Sequence, residues 1–368
     1  MKPVCSKYFL FLPVLIAIAS SESWAAEFSL FGDVQYQSRP EENGFILGPL
    51  DLIVDQALSD TTSVVSDLLF EDHDGAFEYH LDRLFLNKAL GKHYSFTAGR
   101  FQKPLGFWSH NFHHGSIAQD TVSRPFFLES DEYEDGIFPV HLVGALLGYE
   151  SAKSTFQLAV ANNTGMNTQG IAGPEDTTSI HTINLNDPGS GKALVTRLTF
   201  RPTSGPLELG LISMLNHIVE TGEDSSATIV NRGDTLFDQQ VYGFDASYFS
   251  KRFYSFGEIY KLIIKDNQSI DAAGYTPNSG SYSATAYYIQ VGYRITDTVT
   301  VAARHESLDF DDGAYFAIQG IAPETRNLIA LKYRIEESNA FRVEIRQQHR
   351  QDHDSETVYA VQWFFYLL

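Results

Sequence analysis

Two groups of residues in this 368-residue chain have the types and spacing to do chemistry. His110, His113 and His114 fall in one short stretch, and imidazole is a common transition-metal ligand, so they form a candidate metal site. His73 and His141 would complete it only if the fold brought them near. With no cysteine in the region and no regular helical spacing, the favoured reading is a polar loop whose histidines pack against Trp108 and Phe112. No metal and no cofactor is expected.

The second group is charged and ordered. Arg197 and Arg201, then Arg294, then Arg304 with Glu306, occupy the parity opposite the apolar stripe of their segments. Lys332 and Arg334 repeat the arrangement, as do Arg342, Glu344 and Arg346. Rings of Arg and Lys along a pore attract anions, so these residues could form an anion ladder. Glu306 and Glu344 lie in the same stripes, however, and neighbouring opposite charges cancel selectivity. That favours a wet, weakly selective channel wall, with anion preference left open.

Catalysis has little to stand on. Serine and histidine are plentiful, but no G-x-S-x-G elbow, HExxH metal motif or phosphate-binding glycine loop occurs. A barrel enzyme of the phospholipase or protease type is therefore an alternative, as is a closed structural or adhesive barrel. A receptor with an N-terminal plug domain has no room before Phe77.

The elements that must position these side chains are strands. Ile329, Leu331, Tyr333 and Ile335 alternate with Ala330, Lys332 and Arg334; a short turn follows, and Phe341, Val343 and Ile345 then alternate with Arg342, Glu344 and Arg346. Period-two alternation of this length marks half-buried strands. The unit recurs around the turns at 151–154, 202–205, 250–251 and 296–297, and an earlier hairpin runs from Phe77 through Gly91 to Phe101. Tight turns alternate with long polar segments near 102–139, 163–191, 217–238, 265–283 and 309–325. Short turns on one side and long loops on the other are the pattern of an outer-membrane barrel. Tyr149, Phe200, Tyr248, Phe249, Phe253, Tyr293, Tyr333 and Phe341 cluster beside the short turns, as a girdle at the membrane surface would.

The expected fold is therefore all-β: a transmembrane antiparallel up-and-down β-barrel of about 14 strands, within a range of about 12 to 16, with short periplasmic turns and long extracellular loops. Segments 38–76 and 102–139 are candidate constriction elements. Residues 50–58 and 64–70 read either as strands or as a short helix folded into the pore.

Composition agrees. A mean hydropathy of −0.17 and the lack of a long apolar run after residue 25 exclude helical spans. The formal charge of −20 argues against a nucleic-acid binder. Lys2 and Lys7 ahead of the apolar run Tyr8–Ala19, then Ser23-Trp24-Ala25, read as a secretory signal peptide over residues 1–25. Residues 26–368 would then be one barrel domain in the outer membrane of a Gram-negative bacterium. The single cysteine, Cys5, precedes the apolar run, which argues against lipidation and leaves the mature chain without disulfides. Its acidic residues gather in runs such as 131–135, 309–312 and 352–356, which implies acidic loops and an arginine-bearing wall.

Two stretches carry a resemblance. Gly99-Arg100-Phe101-Gln102-Lys103-Pro104-Leu105-Gly106, followed by Trp108 and later Arg124, is similar to the GRF-x-x-P-[LF]-G strand-end motif of Gram-negative porin-like barrels, including phosphate-selective-porin-type families. The resemblance implies a porin fold, with Pro104 and Gly106 turning the chain and Arg100 binding loop carboxylates or lining the pore. Basic residues on its loop amount mainly to Lys103 and Arg124, so phosphate specificity is not carried over. Tyr359, Val361, Trp363, Phe365 and Leu367 resemble the C-terminal strand that barrel-assembly machinery recognises, although Leu368 stands where that group ends in Phe. Together these features imply a porin set in outer-membrane lipid whose water-filled lumen passes small hydrophilic solutes or ions; porins often form a homotrimer, but nothing in this sequence demonstrates one.

Overall fold

A strand with one apolar and one polar face must place each in a matching medium, and a sheet of such strands escapes its own unpaired edges by closing. The computed structural model of the protein shows how this chain does so. It describes residues 26–39, 43–73, 76–112, 119–128, 136–139, 141–168, 180–181, 189, 191–202, 205–222, 231–267, 281–351 and 353–367. The signal sequence expected over 1–25, His113, His114, the acidic run 131–135 and Leu368 lie outside these residues.

The first strands are β1 (Ala26–Ser38), β2 (Asn43–Leu47), β3 (Leu50–Ser59), β4 (Thr62–His73), β5 (Ala76–Leu90) and β6 (Tyr94–Gln102). Then come β7 (His141–Glu150), β8 (Ser154–Ala161), two short loop strands β9 (Thr164–Met166) and β10 (Ile180–His181), β11 (Ala193–Phe200) and β12 (Leu207–Glu220). The second half runs through β13 (Thr235–Phe249), β14 (Phe253–Asp266), β15 (Ser281–Arg294), β16 (Val299–Phe310), β17 (Glu324–Glu336), β18 (Asn339–Arg350) and β19 (Glu356–Leu367). β2 and β3 both pair with β1 and act as one bent stave. β8 pairs directly with β11; β9, paired in parallel with the end of β12, and β10, paired with β9, add no stave of their own. β1 closes the cylinder on β19, in register from Leu30 with Leu367 to Ser38 with Tyr359. Sixteen antiparallel staves result among the described residues.

That count replaces the expected figure of about 14. Residues 50–58 and 64–70 are β3 and β4, neither a pore helix nor an inward loop, so segment 38–76 belongs largely to the wall. The sequence hides them because adjacent apolar residues (Ile53 and Val54, Val64 and Val65, Leu68 to Phe70) fall on both parities. The ladder's own irregularities lie elsewhere, with Leu58 extra at the tip of β3 and Asp82 extra on β5 opposite β4.

Burial is inverted relative to a water-soluble protein. Ile329 is 64% exposed while Arg342 is fully buried. Tyr359, Val361 and Trp363 face outward, and Arg304, Glu306 and Glu344 inward. Such a wall is stable when its outside is hydrocarbon and its inside polar or filled.

The inside is partly filled by the long connection from β6 to β7. Within it, helix α1 (Gly106–Asn111) and a 3-10 turn (Phe126–Leu128) bury Leu105, Phe107, Trp108, Phe126 and Phe127. A second inward segment holds helix α2 (Ala314–Ile318), whose Tyr315 hydroxyl donates to the Ile137 carbonyl at 3.2 Å.

Candidate functional site

The inward loop is fixed to one side of the barrel by charged side chains of the wall. Glu344 on β18 accepts from the Val122 and Ser123 peptide N–H groups at 2.8 and 3.1 Å and from Ser123 Oγ at 2.7 Å. Glu306 on β16 accepts from the Phe126 N–H at 2.7 Å. Arg304 donates to Thr121 Oγ1 and to the Ser123 and Arg124 carbonyls at 3.0, 3.0 and 2.8 Å. Lys332 reaches Asp120 at 3.1 Å, and the Tyr254 hydroxyl donates to the same carboxylate at 2.7 Å. Aromatic rings of the loop also lie under wall guanidiniums: Trp108 is 5.3 Å from Arg304 and Phe126 4.7 Å from Arg326.

The base of the loop is set by the motif residues. β6 ends at Gln102, and Gly106 takes a φ of +80°, where any Cβ would run into the Glu258 carboxylate and Tyr260 hydroxyl. That fit lets Glu258 on β14 accept from the Trp108 N–H and from the Tyr260 and Tyr288 hydroxyls. Arg100 lies 3.7 Å from Asp82 on β5 and 3.5 Å from His141. Lys103 is buried with its ammonium 5.0 Å from the Phe138 ring centre. Arg124 is half-buried on the loop.

Wall charges largely answer one another. Arg197 and Asp245 pair at 3.0 Å, Arg304 and Glu306 at 2.8 Å, and Arg346 and Glu344 at 3.6 Å. Arg326 is bonded to Glu324, and Arg342 donates to Gln362 at 2.7 Å while stacking 4.0 Å from Phe364. Arg201 pairs with Glu208 at 2.8 Å at the turn end. Arg294 and Arg334, also at the turn end, are exposed. The inward face thus carries carboxylates beside its arginines, and the expected separation of acidic loops from an arginine-bearing wall does not hold.

Beside the loop a cavity of about 820 Å³ opens at the turn end. Lys92, Glu150, Arg197, Arg201 and Glu208 are among its charged lining, and Tyr149 and Phe249 form part of its aromatic lining. Phe249, expected in the outer girdle, stacks instead on Tyr254 at 5.7 Å and Phe256 at 6.1 Å, both on the inward parity. His110 also borders this cavity, and desolvation by its surroundings, then the Arg197 guanidinium, holds its imidazole below the ordinary histidine value. His141 lies elsewhere, 3.4 Å from Asp82. Among the described residues no three His, Cys, Asp or Glu side chains converge as a metal site.

Sequence reasoning missed Glu258, Asp245 and the inward segment with α2. Glu258 and Asp245 share the inward parity of their strands, which is the one signal available for them.

No protein-family model matches the chain, and no curated protein sequence does. Solved structures do, and they are outer-membrane barrels. The outer membrane channel DcaP of Acinetobacter baumannii aligns with a TM-score of 0.62 at 10% identity, covering 95% of this chain and 99% of that one. An anion-selective porin from Comamonas acidovorans gives 0.58 at 11% identity, over 94% of this chain and all of the other. OmpT of Vibrio cholerae in its trimer form, an outer membrane protein, gives 0.59 at 10% identity over 94% and 100%. At these identities the likeness is one of fold: this chain folds as a porin-like outer-membrane barrel.

Proposed function

We propose that the protein is an outer-membrane porin through which small hydrophilic solutes and ions diffuse passively. One observation carries this reading: a closed barrel with an apolar outside encloses a charged wall and a loop, and the loop leaves a polar-lined cavity beside it. Passage involves no bond making; width follows from strand number and from how far the loop fills the lumen. Pore-lining roles fall to Arg197 and Arg201 beside the open cavity. Arg304, Glu306, Lys332, Glu344 and Arg346 hold the constriction in place.

In this reading residues 1–25 direct export and are removed. The turn end faces the periplasm, β19 is offered to the barrel-assembly machinery, and three copies assemble in the lipid, an arrangement supported by the trimer form of OmpT. Reconstitution of the purified protein in a planar bilayer tests the porin reading, with stepwise conductance expected. A folded barrel that inserts yet passes no current overturns it. Reversal potentials under a salt gradient then decide whether anions are favoured, and the wall pairs make the expected preference weak.

A further inference from the structure

A second cavity at the turn end has a different character from the open one. It encloses about 140 Å³, and five cationic side chains border it: Lys251, Arg252, Arg294, Lys332 and Arg334. Its two carboxylates are Asp120 and Asp297, and Asp120 is already held by Lys332 and Tyr254. Among the described residues Lys251, Arg252, Arg294 and Arg334 enter no ion pair. Arg294 donates to the Lys251 carbonyl at 3.3 Å and Arg334 to the Asp297 carbonyl at 2.6 Å, so backbone oxygens of two turns steady the guanidiniums. Each guanidinium carries five N–H donors, and one such bond leaves others to offer.

Parity decides what these donors can meet. Arg294 follows the buried Gly292 and Gln290 on the inward face of β15, and Arg334 follows Ala330 and Lys332 on the inward face of β17. Tyr254 and Thr300 complete the lining from the same side. The cluster therefore opens to the lumen rather than to lipid, and its partner is a solute, not a lipid headgroup. Five cationic side chains beside two carboxylates leave the cavity net positive, which attracts an anion into the space. Paired guanidiniums favour oxyanions, whose geometry accepts two N–H bonds at once, over a spherical halide.

We propose that this cavity is a binding site for a small oxyanion carrying two negative charges. Its place at the periplasmic mouth rests on the porin reading; its chemistry does not. Sulfate is the probe, because it stays doubly charged across the working pH range. Titration of sulfate into the refolded barrel in uncharged detergent at low ionic strength, followed by calorimetry, should show saturable binding. Arg294→Gln combined with Arg334→Gln should weaken it by at least about tenfold, the scale of one lost charge-assisted contact. Arg252→Gln, in the β13–β14 turn, should weaken it independently if the double variant fails to fold. Lys153→Gln, an exposed lysine on a distant turn, should leave it unchanged. Absence of saturable sulfate binding overturns the site, as does equal binding by the arginine variants. Calorimetry needs no open pore, so a barrel without conductance sinks the porin reading alone. Conductance without sulfate binding sinks this site alone.

Discussion

Glu344 and Asp245 are both buried wall carboxylates, but they have different partners and so different consequences when disturbed. Glu344 accepts three hydrogen bonds from residues 122 and 123 of the inward loop. Replacing it with alanine leaves two peptide N–H groups unanswered, at about 1–3 kcal/mol each if they stay buried. The loop is then expected to detach locally while the strand ladder persists. Chymotrypsin should cut faster at Phe126 and Phe127, and single-channel current should become noisier; unchanged cleavage and noise would dismiss the anchoring role. Asp245 answers Arg197 from two strands away, across Gly210 of β12, where a Cβ would strike its carboxylate. Arg197→Met strands a buried charge, a loss of about 3–5 kcal/mol. Its gel-shift unfolding temperature should drop, and Arg197→Met with Asp245→Leu should recover most of the drop. The arginines were legible from alternation alone. Their partners were not, because a partner two strands away depends on register, which no local pattern records.

At the level of elements, the hairpins from β7 onward were legible because one parity is consistently apolar and outward. Two places resisted for separate reasons. β3 and β4 carry adjacent apolar residues, such as Ile53 with Val54 and Val64 with Val65, so neither parity is cleanly apolar. β14 is apolar on both: Ile259 faces outward, while Phe256, Tyr260 and Leu262 pack inward on the loop. Glu258 is therefore a carboxylate set among inward apolar residues, and its role appears only when Trp108 is seated on it. Helix α1 depends on that seat and on Gly106. Gly106→Ala should cost about 1–2 kcal/mol for the left-handed backbone alone. Contact with Glu258 and Tyr260 adds to it. The unfolding temperature should fall clearly below that of Ser109→Ala, which alters the same helix without touching the seat; equal temperatures would refute the account.

For the whole molecule, the net charge of −20 does not reduce to acidic loops around a basic wall. Carboxylates such as Asp33, Asp67, Asp245 and Glu306 are buried inside the barrel as well, so the lumen is a network of pairs and the unmatched cations gather at the turn end. The apolar residues divide similarly. Many face out, but Phe126, Phe127, Ile137 and Phe138 form a core inside the lumen with Tyr260, Tyr288 and Met214. A barrel stabilised by its strand ladder alone would tolerate loss of its inward loop; this one should not. Gln102 and His141 are register partners on adjacent strands, so a short Gly-Ser turn can join them and replace residues 103–140 without disturbing the wall. Each fully buried apolar side chain removed takes away about 1.5–3 kcal/mol of burial, and its partners on the wall lose their cover too. The expected result is a wider channel in a weaker barrel, with conductance raised and unfolding temperature lowered together. Higher conductance at unchanged thermal stability would mean that the loop only narrows the pore. Lower stability with unchanged conductance would mean that it only fills the barrel, and that solutes pass entirely through the cavity beside it.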